Sequence, residues 1–200
     1  MKIGFDVDGV LANFFTGYEQ TIVRVTGRDL FPRKWPDATP EVWDWPQTFG
    51  YTREEINKVW DVIRSDSKFF SSLGTLPGVV AAKILNHREH EVYFITDRPG
   101  VGAQAETQMW LGRQGFHCPS VLISKSKHGG KGPLVAALGL DLFIDDKVEN
   151  ILGIQEHAPN CRAYLAPTYP YNLNHVSFSH VRRVRSTVID VLQTENLWTI

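Results

Sequence analysis

Five short apolar runs punctuate the chain: Lys2–Asp8, Glu91–Thr96, Ser120–Ser124, Leu140–Asp145 and Cys161–Ala166. They are rich in Val, Ile, Phe and Tyr and bounded by Gly, Pro or Asp. Apolarity that continuous over so short a length predicts strands buried on both faces. The segments between them read as helices. One opens at Pro77-Gly78 and runs to about His87, with Pro suited to a helix start. Ala103–Gln114 stops at Gly115 and Lys131–Leu138 stops at Gly139, both plausible helix ends. Val148–His157 and Ser186–Glu195 complete the set. Strands alternating with helices predict an α/β fold: a three-layer, Rossmann-like parallel sheet with helices on both faces.

One region breaks the alternation. From Phe14 to Phe70 no strand is evident, and Asp29–Gln47 holds Pro32, Pro36, Pro40 and Pro46 among tryptophans. Thr52-Arg-Glu-Glu55 is a capping box. Ile56, Val59, Trp60 and Ile63 follow it at the spacing of one apolar helix face. The pattern predicts a small helical insertion over 16–74, placed after the first strand of a core made of 1–15 and 75–200. Twelve aromatic side chains, about half of the total, fall between Phe14 and Phe70, Trp35 and Trp43 among them. Such rings build the core of a small subdomain, or one or two of them face a ligand.

Composition narrows the class. Two hundred residues at 42% hydrophobic and 22% charged fit one globular domain with a modest insertion. A net charge of −1 argues against a protein that lives by phosphate-backbone contacts, so nucleic acid is not the expected partner. No apolar run approaches the roughly 20 residues of a membrane helix. The start MKIGFDVDG reaches an acid by its sixth residue, unlike a signal peptide. Cys118 and Cys161 make no metal spacing and read as reduced thiols of a cytoplasmic protein, one disulfide being the alternative.

The chemistry-bearing residues cluster at predicted strand ends. Asp6 and Asp8 end the first strand, on one face by alternation, where open α/β sheets bind ligands. Solvated acids in a strand-ending turn are the plainer reading of that pair alone. Asp145 and Asp146 end the fourth strand. If the two ends are neighbours, each like-charge pair at about 4 Å costs roughly 4 kcal/mol at an effective dielectric near 20. Such a cluster needs a cation or bound protons, and oxygen-only ligands point to Mg²⁺ rather than zinc. Thr96 ends the second strand. Its hydroxyl and the backbone N–H groups that follow from Asp97 can hold a phosphate oxygen. Lys131 at a helix start opposes the dipole preference, so it is a surface choice or serves an anion; Lys125 and Lys127 compete for that role.

In order along the chain, Asp6/Asp8, Thr96, Lys131 and Asp145/Asp146 resemble the four motifs of the haloacid dehalogenase superfamily of phosphotransferases. GFDVDGVLANF and DLFIDDKVEN look most like the 5′(3′)-deoxyribonucleotidase branch, whereas TDRPGVGAQAETQMWL, with an Arg after the second motif, is closer to prokaryotic and phage-type relatives. The resemblance implies that the insertion is a cap. It implies that Asp6 attacks phosphorus and forms an aspartyl-phosphate, and that Asp8 protonates the leaving oxygen and then activates water. Mg²⁺ would be held by Asp6, the backbone carbonyl of Asp8 and Asp146, with Asp145 beside it. Thr96 and Lys131 would hold phosphoryl oxygens, and Phe14 or Phe15 would reach the leaving group.

The expected activity is therefore Mg²⁺-dependent hydrolysis of a small phosphomonoester, a nucleoside monophosphate foremost. A 3′-phosphatase on a nucleic-acid end, a phosphatase on another small metabolite and a non-hydrolytic nucleotide-binding module remain alternatives. Binding alone does not require a nucleophile and an acid two residues apart, which argues against the last. Gly129-Gly130-Lys131-Gly132 lacks the Ser or Thr of a Walker loop, and Gly100-Val101-Gly102 is a turn. His87 and His90 sit at a charged helix end rather than a metal site. Arg182, Arg183 and Arg185 read as a solvated face.

Overall fold

The computed structural model describes residues 1–31, 40–42, 44–86, 90–125 and 130–198. His87, Lys127, Gly129, Pro32, Pro36, Trp35 and Trp43 lie outside them. Strands β1 (Lys2–Phe5), β2 (Glu91–Thr96), β3 (Ser120–Ile123), β4 (Leu142–Asp145) and β5 (Arg162–Leu165) form one parallel sheet in the order β3-β2-β1-β4-β5. The order reverses between β1 and β4, so the crevice beyond their carboxyl ends is the switch point at which such sheets bind ligands. All five runs read as strands are strands, and the buried residues of β1 and β4 explain their unbroken apolarity.

Ten α-helices are described: α1 (Phe14–Thr26), α2 (Trp45–Thr48), α3 (Arg53–Ser65), α4 (Phe69–Ser72), α5 (Gly78–Asn86), α6 (Ala103–Arg113), α7 (Gly132–Leu138), α8 (Val148–His157), α9 (Pro170–Leu173) and α10 (Val188–Thr194). Lys131 is the N-cap residue of α7 rather than its first turn. The Thr52–Glu55 capping box forms as read: Glu55 N donates to Thr52 Oγ1 at 3.2 Å and Thr52 N to Glu55 Oε2 at 2.8 Å. Helices α1 to α4 are the elements of the described residues between Phe14 and Ser72, and α1 starts at Phe14, so Phe14 and Phe15 belong to its first turn. These helices share one apolar cluster with the sheet: Tyr18, Ile22, Val59 and Ile63 are buried in the same core as Phe5, Phe94 and Trp110. The indole N–H of Trp110 donates to Leu73 O at 2.7 Å and Arg113 Nη1 to Ser71 O at 3.0 Å, tying α4 to α6. Both cysteines are free, Cys161 buried and Cys118 exposed. Among the described residues no helix is long and apolar enough to cross a membrane.

Candidate active site

β1 ends at Phe5, three residues short of the run read as a strand. Asp6 still holds sheet register, its N–H donating to Ile144 O at 2.8 Å. Val7 O then accepts from Leu11 N and Ala12 N at 2.9 and 2.7 Å, turning the chain back on itself. Asp8 therefore reaches the site from a turn and not from the alternation of an extended strand. Gly9 completes the turn at φ +83°, and a methyl group there would collide with the Asp146 carboxylate. Only glycine suits both demands.

A cavity of about 90 Å³ opens on these strand ends, and Asp6, Asp8, Thr96, Asp97, Lys131, Asp146, Phe14 and Phe15 all line it. Asp145 lies beneath it, fully buried. Thr96 is buried at the end of β2, while Asp97 is exposed at the rim. Of the competing lysines, Lys125 is exposed and Lys127 lies outside the described residues, whereas Lys131 is buried in the site.

Lys131 bridges two acids, with Nζ 2.6 Å from Asp6 Oδ1 and 2.7 Å from Asp145 Oδ2. Burial alone would lower the ammonium's pKa, but Asp145 and Asp6 outweigh it and hold Lys131 charged. Asp145 accepts further from Lys147 N at 2.9 Å and from Asn150 Nδ2 at 3.0 and 3.1 Å, so both its oxygens are engaged. Its place is to hold the lysine. Burial pushes the Asp6 carboxyl well above the usual range; Lys131 pulls it back, and Asp145, Asp146 and Asp8 push it further up. Asp146 is pushed up to about 6 by burial and then by the charge of Asp145.

Several residues at the site carried no clear sequence signal. Arg98, noted only as an Arg after the second motif, has a fully buried side chain. It grips Asp8 with both arms, Nε to Oδ2 at 2.8 Å and Nη2 to Oδ1 at 2.7 Å. It also donates to Thr107 Oγ1 at 3.0 Å and lies 4.7 Å over the Phe70 ring. From α9, Tyr171 donates to Asp146 Oδ2 at 2.5 Å and Asn172 Nδ2 to Asp146 O at 2.7 Å. Tyr169, just before it, donates to Gly9 O at 2.6 Å. Trp60 and Phe70 join Phe14 in walling the cavity. Phe14 is half-buried and stacks on Trp60 at 5.9 Å, whereas Phe15 is buried against Tyr169 at 5.3 Å.

The acids fit a hard divalent cation. Oxygens of Asp6, Asp145 and Asp146 lie within 4.8 Å of one another, and Asp146 Oδ1 is buried without a hydrogen-bond partner. An orphaned buried carboxylate oxygen is costly unless a cation or proton meets it. If ionised, Asp6, Asp8, Asp145 and Asp146 outnumber the two cations they touch, Lys131 and Arg98, by two charges. The all-oxygen set suits Mg²⁺. A pH dependence follows from these raised carboxyls. Each favours the metal-free folded state fully below its unfolded pKa of 3.8, and that contribution is lost as pH rises through the folded value, about 6 for Asp146. A divalent cation held by these acids would need their ionised forms, so any stabilisation by added Mg²⁺ should be larger at pH 7.5 than at pH 5. Thermal unfolding with and without Mg²⁺ at both pH values checks this; an equal or larger gain at pH 5 refutes it.

With the geometry established, comparison with known proteins places the chain. The family model described as 5′ nucleotidase, deoxy (pyrimidine), cytosolic type C protein matches residues 1–190. A Bacillus cereus protein described as "Putative nucleotidase" is 28% identical over 162 residues, covering 76% of this chain and 82% of the relative. Among solved structures, a HAD family hydrolase from Deinococcus radiodurans with bound phosphate and sodium superposes with a TM-score of 0.62 at 15% identity, covering 99% of this chain and 97% of that one. The "putative HAD-hydrolase YfnB" from Bacillus subtilis, bound to magnesium, gives a TM-score of 0.59 at 11% identity and 98% coverage of both chains. The haloacid dehalogenase-like fold expected from the motifs is thereby shown.

Proposed function

Because the chain belongs to the family of 5′ nucleotidase, deoxy (pyrimidine), cytosolic type C proteins, it is a phosphoric monoester hydrolase of the nucleotidase type, and we propose that it hydrolyses nucleoside monophosphates with Mg²⁺ through an aspartyl-phosphate. One observation carries this reading: a buried lysine shared by Asp6 and Asp145 beneath a cavity that is acidic at its floor and aromatic at its wall. Lys131 opposes the burial that raises the Asp6 carboxyl and so favours the anion that a carboxylate nucleophile requires.

In this reading an Asp6 oxygen bonds to phosphorus as the bond to the leaving oxygen breaks, and Asp8 gives that oxygen its proton. Asp8 then takes a proton from the water that attacks the phosphoaspartate, releasing phosphate and free Asp6. Arg98 orients Asp8 through both carboxylate oxygens, each of which retains a second lone-pair direction for proton exchange. Thr96, the backbone beyond it at Asp97, and Lys131 hold the phosphoryl oxygens. Bound Mg²⁺, on Asp6, the Asp8 carbonyl and Asp146, would offset the charge that spreads over those oxygens. Residues 16–74 serve as the cap.

Substrate choice rests on the rings that wall the cavity. Phe14 is the ring assigned to the leaving group, since it is half-buried at the cavity with Trp60, while Phe15 is spent on Tyr169 and Tyr171. Base–aromatic stacking contributes about 1–3 kcal/mol. Nucleoside monophosphates should therefore exceed ribose 5-phosphate in kcat/KM by about tenfold or more, and Phe14→Ala should erase most of that ratio while sparing the sugar phosphate. Phosphate release from both substrates, with Mg²⁺ and with excess chelator, tests the proposal. Equal turnover of the two substrates removes the nucleotide reading, and full activity in chelator removes the metal.

A further inference from the structure

The metal-facing acid Asp146 is held in an unusual way. Its two oxygens differ sharply in their surroundings. Oδ2 accepts the Tyr171 hydroxyl at 2.5 Å and also faces the backbone of Gly9, which leaves no room there for a side chain. Oδ1 is buried without a hydrogen-bond partner. Tyr171 is itself fixed. Its segment is pinned by Asn172, which donates to Asp146 O at 2.7 Å and accepts from Tyr169 N at 2.7 Å, and Tyr169 in turn bonds Gly9 O. The rings of Tyr169 and Tyr171 stack at 5.5 Å, with Phe15 against both.

A carboxylate oxygen that accepts one hydrogen bond keeps a second lone-pair direction, but Oδ2 of Asp146 has the Tyr171 hydroxyl on it and the Gly9 backbone against it, which leaves Oδ1 as the oxygen open to a cation. Ca²⁺ takes six to eight oxygens and accepts both oxygens of one carboxylate, whereas Mg²⁺ needs a smaller, near-octahedral set. We propose that Tyr171 is a positioning residue that restricts Asp146 to one-oxygen coordination and so makes the site discriminate for Mg²⁺ against Ca²⁺. The proposal rests on the metal reading given above. It extends that reading from which residues hold the ion to which ion they accept, and it gives a role to a segment that the hydrolytic chemistry does not use.

The test is direct binding without substrate. Mg²⁺ and Ca²⁺ are titrated separately into metal-free wild-type protein and into Tyr171→Phe by calorimetry, with circular dichroism to confirm the fold. Wild type should bind Mg²⁺ at least about tenfold more tightly than Ca²⁺. Tyr171→Phe should weaken Mg²⁺ binding by about 10- to 100-fold, the usual cost of removing a partner of a metal ligand, and weaken Ca²⁺ binding far less, so that the preference collapses. An unchanged preference in the variant, or an equal loss for both ions, overturns the role. Equal affinities in the wild type overturn it even if the variant does not fold. Wild type that binds neither ion removes the metal reading itself and this inference with it, an outcome distinct from the others.

Discussion

Asp6→Asn is expected to reduce turnover of a nucleoside monophosphate by about a thousandfold or more, the scale on which removal of a covalent nucleophile acts, while the protein stays folded. An amide of the same shape cannot form the acyl-phosphate bond. The structural cost is small because Asp145 still holds Lys131 at 2.7 Å when Asp6 is gone. The substitution also removes a buried carboxyl that is raised first by burial and then by the charges of Asp145, Asp146 and Asp8. Metal-free Asp6→Asn should therefore unfold at the same temperature as wild type at pH 7.5 or somewhat higher, a site trading stability for function. Initial rates and thermal unfolding on the same preparation check both halves. Activity within tenfold of wild type would refute the covalent route.

How far the sequence carries varies along the chain for physical reasons. The five strands were legible because parallel strands covered on both faces must be apolar throughout, and that pattern has few alternatives. The acids at 6, 8, 145 and 146 were legible as candidates because two acid pairs end two apolar runs and fall in the order of the motifs they resemble; either pair alone reads as solvated acids. The end of β1 was not. Val7 continues the alternation between Asp6 and Asp8, and what stops the strand is a carbonyl shared by Leu11 and Ala12, which no side chain announces. The choice among Lys125, Lys127 and Lys131 was open for a similar reason: spacing gives distance along the chain and says nothing of which lysine turns inward.

Partners that arrive from elsewhere were the least legible. Arg98 pairs with Asp8 across 90 positions and Tyr171 with Asp146 across 25. The stretch carrying Tyr171 has no periodicity, since a four-residue helix and its flanking turns are fixed by hydrogen bonds and not by an apolar face. The aromatic richness of 14–70 was visible, but it concealed a division of labour. Tyr18, Phe31, Trp45 and Tyr51 are buried in the core, and among the described residues of that set only Phe14, Phe15, Trp60 and Phe70 reach the cavity.

Lys131→Met should have the largest effect on stability. The methionine fills similar space and cannot meet either acid, so Asp6 and Asp145 lose their shared cation at 2.6 and 2.7 Å in a buried setting. Breaking a buried pair by removing one partner costs about 3–5 kcal/mol. The sign with pH is set by the acids left behind. With the lysine gone, nothing offsets the burial that already raises Asp6, so that carboxyl protonates at still higher pH and the penalty shrinks as pH falls. Denaturant unfolding of metal-free protein should thus show a deficit of a few kcal/mol at pH 7.5 and a clearly smaller one at pH 5. Turnover with saturating Mg²⁺ should fall by about a hundredfold or more, the scale of removing one donor to a developing oxyanion, because the metal can offset charge at the acids but cannot replace the ammonium at the phosphoryl oxygens. A deficit below about 1 kcal/mol at pH 7.5 would mean that Asp6 and Asp145 are neutralised by other means in the folded protein, and that Lys131 is a support and not the keystone of the charge balance.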